Sequence, residues 1–354
     1  MMPKSGTRHR IVQEDLARIV SEPLAWESFK GKTVLISGAN GFLASYMIET
    51  LLYLNEISGG SCQVVGLARN REKAEKRFAH HAGRDDLKFV FQDVCEPVHV
   101  EGPVHFVVHA ASQASPKYYG VDPVGTLSAN VLGSHQLLTL AREKQSQAYL
   151  FFSSSEVYGR PDQDGSGIRE TRFGGADPAR VRSCYAESKR MGETMCVSWA
   201  EQYSVPARVV RPFHTYGPGM ALDDGRVYAD FVADVLAGRD LALHSDGSAR
   251  RAFCYLADAV AGFFTALLKG TVGEAYNVGN PQGEISILEL AKLLAGLFPE
   301  KRLQVRTDPR SQRPGYLPSA IDQFRPNIDK IKALDWRPGV PLKEGFERTL
   351  ASYS

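Results

Sequence analysis

One stretch constrains the fold more than any other: Val34-Leu35-Ile36-Ser37-Gly38-Ala39-Asn40-Gly41-Phe42-Leu43-Ala44. A short apolar, β-rich run leads through two glycines directly into a segment of helical periodicity, Phe42–Ile57. Glycine at 38 permits a tight turn, and glycine at 41 lets the backbone come close to a pyrophosphate. The small Ala44 lets the helix pack against the strand. The helix start offers free N–H groups and the positive end of its dipole to an anion. A strand, this turn and a helix together form the setting in which a nicotinamide dinucleotide is held.

The chain around this turn repeats the same alternation. Gln63–Leu67, Lys88–Gln92, Val104–His109, Ala148–Ser153 and Ala207–Arg211 read as apolar strands, and Val124–Lys144 and Tyr185–Tyr203 as long helices. Continuous apolar strands separated by helices predict a Rossmann-type, doubly wound parallel sheet buried on both faces, an α/β fold. The 354 residues exceed one small domain, and 43% hydrophobic content suffices for a large core. Residues 1–30 read as an N-terminal extension, with Glu14–Val20 a short amphipathic helix strapped over the surface. Residues 31–212 form the dinucleotide domain. After Pro212 glycine and proline become frequent, and 213–354, with a clear helix at Leu288–Leu297, read as a smaller C-terminal substrate-binding lobe partly interleaved with the first.

A formal charge of +2 points to neither a nucleic acid polymer nor an anionic membrane. Five scattered cysteines without a CxxC pair argue against a disulfide framework and a structural metal site. No apolar run spans a bilayer, and the polar, basic Met1–Arg10 is no signal peptide, so a cytoplasmic location is expected.

The dinucleotide reading assigns further residues. Asn40, Phe42 and Leu43 belong to the phosphate turn with Gly38 and Gly41. Asp93 and Val94, after the third strand, are placed to meet the adenine, and Ala110, Ala111 and Ser112 line the path past the fourth. After the second strand, Gly66-Leu67-Ala68-Arg69-Asn70-Arg71 contains no acid to bind a ribose 2′-hydroxyl but two arginines. Arg69 therefore leans the choice toward NADP, with NAD as the alternative.

The catalytic group begins with Tyr185-Ala186-Glu187-Ser188-Lys189, which puts a phenol and an ammonium on one helix face. A nearby cation lowers a phenol's pKa, so Tyr185 is expected to accept a proton from an alcohol while hydride leaves for the nicotinamide. Upstream, Ser153-Ser154-Ser155-Glu156-Val157-Tyr158-Gly159 leaves the C-terminal end of a strand, where ligands sit in such sheets.

With these motifs the chain resembles the extended short-chain dehydrogenase/reductases, the nucleotide-sugar epimerase/dehydratase group. The resemblance runs over about residues 32–350. It also rests on His109-Ala110-Ala111, Asn130-Val131-Leu132-Gly133, Arg211-Pro212-Phe213, Gly217-Pro218 and Asn277-Val278-Gly279-Asn280. It implies Ser154 as hydroxyl partner, Tyr185 as base, Lys189 as its orienting cation and Asn130 at the cofactor. It further implies transient oxidation of a sugar, usually at C4, on a nucleotide diphosphate carrier, and a homodimer formed by pairing Val124–Lys144 with Tyr185–Tyr203 across a two-fold axis.

Ser155-Glu156 differs from the Asp-Glu of the dTDP-glucose dehydratases. Asp224-Gly225-Arg226-Val227, Arg251-Ala252-Phe253-Cys254-Tyr255 and the tail at Leu334–Leu342 look most like the UDP-glucuronate decarboxylase branch. In that reading Glu156 handles the sugar and Ser155, His214, Arg226, Arg251 and Arg313 bind the nucleotide sugar. A 4-epimerase, a 4,6-dehydratase and a non-enzymatic dinucleotide sensor are the alternatives, the last disfavoured because Tyr185 and Lys189 are both present. Three positions depart from the decarboxylase pattern: His214 stands for an asparagine, Gly219 for an arginine, and Arg69 for an acid.

Overall fold

The computed structural model describes residues 8–159, 167–307 and 323–354. Helix α1 (Arg10–Val20) comes first, followed by strand β1 (Thr33–Ser37), helix α2 (Phe42–Ser58), β2 (Gln63–Ala68), α3 (Arg71–Arg77), β3 (Leu87–Phe91) and β4 (Phe106–His109). Next are α4 (Pro123–Glu143), β5 (Ala148–Phe152), α5 (Cys184–Tyr203), β6 (Ala207–Pro212) and β7 (His214–Tyr216). The remainder comprises α6 (Val227–Ala237), β8 (Leu241–Leu243), β9 (Arg250–Tyr255), α7 (Leu256–Lys269), β10 (Ala275–Val278), β11 (Glu284–Ser286), α8 (Ile287–Gly296), β12 (Val305–Thr307), β13 (Gln323–Phe324), α9 (Asp329–Lys332) and α10 (Leu342–Ala351).

Seven strands form one sheet in the order β10-β6-β5-β4-β1-β2-β3. Every pairing in it is parallel. Val34–Ser37 and Ala148–Phe152 are buried throughout, because helices cover both faces. Strand order reverses between β1 and β4, so a crevice opens there above the carboxyl ends of the strands. The chain comes back to this sheet after leaving it: β10 extends it beyond β6, and α7 packs against it. The second sheet is built around β9, paired with β7, β11 and β13. No helix among the described residues is long and apolar enough to cross a membrane.

Helix starts follow local chemistry. The Asp122 carboxylate accepts the Gly125 N–H at the head of α4, and Pro123 takes the first helical position, where its missing N–H costs nothing. Ser286 and Glu289 cap α8 reciprocally.

The N-terminal extension is more than a surface strap. Leu16 and Ile19 of α1 are wholly buried in the principal core. Beside them the buried Asp15 accepts hydrogen bonds from Tyr46 Oη of α2 at 2.8 Å, Tyr255 Oη of β9 at 2.7 Å and Arg348 of α10 at 2.7 Å. A buried carboxylate is tolerable only with such partners. These three tie the extension to α2, β9 and α10.

Candidate active site

At the crest of the crevice Gly38 has φ +68°, and a Cβ there would lie 2.8 Å from the Ala111 backbone. Only glycine lets the two strand ends approach this closely. Ser37 Oγ accepts the N–H groups of Ala110 at 3.1 Å and Ala111 at 3.2 Å, and its ring partner is His109 Nδ1 at 2.9 Å. With both acceptor sites in use, Ser37 donates its own hydrogen to Nδ1, which places the His109 proton on Nε2. His109 is neutral: burial, reinforced by Lys189, pushes its pKa down to about 3. Helix α2 begins at Phe42 with Gly41 as N-cap and no side chain capping it. Its first N–H groups therefore face the crevice, and the residues present fit a dinucleotide pyrophosphate.

A cavity of about 1710 Å³ opens from this turn. That exceeds the roughly 300–1,000 Å³ of a pocket for a single small molecule, so a second ligand fits beside a dinucleotide. Asn40, Gly41, Phe42, Leu43, Arg69, Ala110 and Ser112 line one end, and Ser154, Ser155, Glu156, Tyr185, Lys189, His214, Arg226 and Arg251 the other. The buried Ser112 Oγ has no hydrogen-bond partner among the described residues, a polar atom suited to a ligand.

Several expected contacts lie elsewhere. Gly38 and Ala111 shape the turn from behind. Asp93 accepts the Cys95 N–H at 2.9 Å and pairs with Arg69 at 3.4 Å, on the rim. Val94 belongs to the core beneath α4, where it faces Gly133. Asn130 is not among the cavity-lining residues and braces two helices. It is fully buried, and its amide donates to Thr126 O and to Ser188 Oγ of α5 at 2.9 Å. Of the two arginines after β2 only Arg69 reaches the cavity; Arg71 stacks on Phe91 at 4.0 Å and pairs with Glu75. Arg313 lies outside the described residues.

Around Tyr185 the electrostatics also require correction. Lys189 does not make the phenol acidic. Its Nζ donates to Phe152 O at 2.5 Å and sits 5.8 Å from the centre of the Tyr185 ring. Burial brings the Lys189 pKa down to about 7, so the ammonium is only partly charged near neutrality. Tyr185 rises to about 12, through burial first and Glu156 second. A hydrogen bond with Ser154, together with Arg226 and Arg182, opposes that rise.

Sequence reasoning missed Arg182. Its guanidinium grips Glu156 at 2.8 and 3.3 Å and lies 4.9 Å over the Tyr119 ring, which in turn stacks on Tyr185 at 5.0 Å. The available signal was a cation three residues before the tyrosine, one turn below it. Arg226 donates to Ala114 O at 2.8 Å and pairs with Asp224 at 3.1 Å. His214 is held neutral by burial and then by Arg251 and Arg226, and its buried Nδ1 finds no acceptor or donor among the described residues.

The NAD dependent epimerase/dehydratase family profile matches residues 34–279. UDP-glucuronic acid decarboxylase 1 of Danio rerio is 35% identical over 332 residues, 91% of this chain and 73% of that protein. UDP-glucuronic acid decarboxylase 6 of Arabidopsis thaliana is 34% identical over 316 residues, 88% of this chain and 86% of that one. Among solved structures, the epimerase Mth375 of Methanothermobacter thermautotrophicus superposes with a TM-score of 0.78 at 23% identity, covering 97% of this chain and 95% of its own. The dTDP-glucose 4,6-dehydratase of Bacillus anthracis in complex with NAD gives 0.74 at 22% identity, covering 91% and 96%. At that identity the structures speak for the fold, while the family profile and the curated relatives bear on the chemistry. On the strength of these matches and the site geometry, the chain is a member of the NAD-dependent epimerase/dehydratase family.

Proposed function

We propose that the chain is an NAD(P)-dependent nucleotide-sugar enzyme that transiently oxidises its substrate at C4 and then releases carbon dioxide from C6, as a UDP-glucuronate decarboxylase does. The observation that carries this reading is the convergence of Tyr185, Ser154 and Lys189 with Glu156–Arg182, Arg226 and Arg251 on one cavity. A dinucleotide held at the Gly38–Gly41 turn would supply a reversible hydride acceptor for the sugar carbon.

The chain's own residues do the rest. Ser154 and Tyr185 hold the sugar hydroxyl, and Tyr185 Oη accepts its proton. Arg226 and Arg182 are the cations that favour the phenolate, while Lys189, anchored on Phe152 O, lies against the Tyr185 ring. A ketone at C4 makes the C6 carboxylate a β-keto acid, whose carbon dioxide leaves with its electrons passing to the ketone oxygen; the enolate then takes a proton from water at C5, which restores the C4 ketone. Arg251 binds the diphosphate or the carboxylate, Arg226 and Ser155 steady the carrier, and His214 offers a neutral imidazole where a charged group would repel Arg251. Arg313 is assigned to the same ligand from sequence alone.

A homodimer is part of this proposal. Helices α4 and α5 pack together and present Val124, Leu132, Met191 and Val197 to solvent, each about half exposed or more. Such a face suits a second copy across a two-fold axis. The five unpaired cysteines suit a reducing cytoplasm.

Mass spectrometry of products after incubation with UDP-glucuronate, UDP-glucose and GDP-mannose tests the reading. Loss of carbon dioxide from the glucuronate supports it. Unchanged mass with inverted C4 would make the chain a 4-epimerase, loss of water a 4,6-dehydratase, and no product with any sugar a non-enzymatic binder.

A further inference from the structure

Arg77, at the end of α3, plays no part in the mechanism above, yet its guanidinium faces the same cavity. It bridges two elements that the crevice separates. Nη1 donates to Ser45 Oγ in the first turn of α2 at 2.9 Å, and Nη2 donates to Gly219 O in the loop after β7 at 3.2 Å. Both acceptors are neutral. No carboxylate lies within ion-pair distance of Arg77 among the described residues.

The two titratable groups that favour its charged form, Tyr353 and Glu49, are already committed, and Lys73 and Lys76 line the same cavity. Glu49 is held by Arg8 at 2.7 Å, His80 at 2.8 Å and His81 at 2.9 Å. Tyr353 donates its hydroxyl to Met220 O. Burial bears on the guanidinium enough to push its pKa below the usual arginine range. A partly buried cation with only neutral partners, beside a cavity, suits an anion there.

The local geometry sets Gly219 against Arg77. Gly219 has φ +79°, and a Cβ there would stand 3.4 Å from Arg77 Nη1. A Cβ at that distance is in ordinary contact, so a side chain at 219 would extend beside the Arg77 guanidinium. In this chain position 219 is bare, and the cation enters from α3 instead.

We propose that Arg77 is a phosphate-binding residue. It takes the dinucleotide's pyrophosphate beside the first turn of α2 and, through Gly219 O, draws the 217–219 loop of the substrate lobe onto the bound cofactor. The first turn of α2 presents N–H groups to the same anion, and the planar fork of arginine can bind a phosphate while keeping Ser45 and Gly219. The proposal rests on the dinucleotide reading of the glycine turn.

Titration calorimetry with NAD, ADP, adenosine and UDP, on the full chain and on Arg77→Met and Arg77→Lys, tests it. Arg77→Met should weaken NAD and ADP by about ten- to a hundredfold, the range for a hydrogen bond to a charged group, and leave adenosine and UDP within about twofold. Arg77→Lys keeps the charge but loses one of the two bridges, and should fall between, with the salt dependence of ADP binding retained. It also answers the question if the methionine variant does not fold. Equal weakening of adenosine and ADP, or weakening of UDP in place of ADP, or no change in either variant, would overturn the assignment. If the unaltered chain binds neither NAD nor ADP, the cofactor reading itself fails, an outcome distinct from all of these.

Discussion

Replacing Arg182 with methionine isolates what the missed cation contributes. Arg182 and Glu156 are 26% and 31% exposed, so their pair is neither a surface contact nor a fully desolvated one. Coulomb attraction at ~4 Å and an effective dielectric near 20 gives about 4 kcal/mol as a ceiling, and exposed pairs measure roughly 0.2–1 kcal/mol. A value of about 2 kcal/mol is therefore reasonable for the pair.

The effect on Tyr185 has a definite sign. Glu156 raises the phenol's pKa and Arg182 lowers it, so the variant keeps the first influence and loses the second. About one unit of upward shift, or roughly 1.4 kcal/mol, should follow, which reduces the competent phenolate about tenfold at fixed pH. The assay is kcat/KM against pH for decarboxylation of UDP-glucuronate. The ascending limb should move up by about one unit, with activity partly recovered at higher pH. Arg182→Met/Glu156→Gln removes both charges, so its limb should return toward that of the unaltered chain even though its height stays low. An unmoved limb in Arg182→Met, or the same displacement in both variants, would refute the reasoning.

Tyr185→Phe should cost about 10²–10⁴ in kcat, the range for a positioned proton-transfer group, while NAD affinity by calorimetry stays within about twofold; near-normal turnover would remove Tyr185 from the role of base. Arg69→Asp should shift the ratio of NAD to NADP affinity toward NAD by about tenfold or more, and an unchanged ratio would show that Arg69, tied to Asp93, does not read the ribose. Lys189→Met should abolish turnover and alter the pH dependence of stability in a known direction. The Lys189 pKa falls to about 7 in the fold, whereas the unfolded chain titrates near 10.4, so the unfolded state binds more protons between these limits and lysine's contribution to stability rises with pH across them. Between pH 7 and pH 10 the melting temperature should gain more, or lose less, for the unaltered chain than for Lys189→Met, and an equal change in both would contradict the assigned burial.

What could be read from the chain follows how local each feature is. The glycine turn was legible because its demands fall within a few residues: φ +68° at Gly38 and an uncapped helix start at Phe42. Strands β1, β2 and β5 were legible because burial on both faces leaves their central residues apolar. The pairing of Tyr185 with Lys189 was legible as one helical turn, but its electrostatics were not, since burial depends on the whole fold and outweighs a neighbouring charge. Asn130 looked like a cofactor contact by motif, yet Ser188, which receives its amide hydrogen, is 58 residues away. The extension's burial was hidden for the same reason: Asp15 meets Tyr255 and Arg348 only after the tail has folded back. Arg182 and Arg77 carried a charge and no motif, and their partners come from other elements.

Charge distribution over the cavity adds an argument that does not depend on any one residue. Among the described residues that line it, eight are basic and five acidic, an excess of three, although the whole chain carries only +2. Two of those acids, Glu156 and Asp224, are held by Arg182 and Arg226. The basic groups fall in two places, with Arg69, Lys73, Lys76 and Arg77 toward α3 and Arg182, Arg226 and Arg251 toward the second sheet. A pyrophosphate at α2 would meet the first of these groups, and the second adds positive potential elsewhere in the same cavity. A second ligand with its own diphosphate and a carboxylate suits that potential. A small neutral alcohol, the simplest substrate a Tyr185–Lys189 pair could serve, does not.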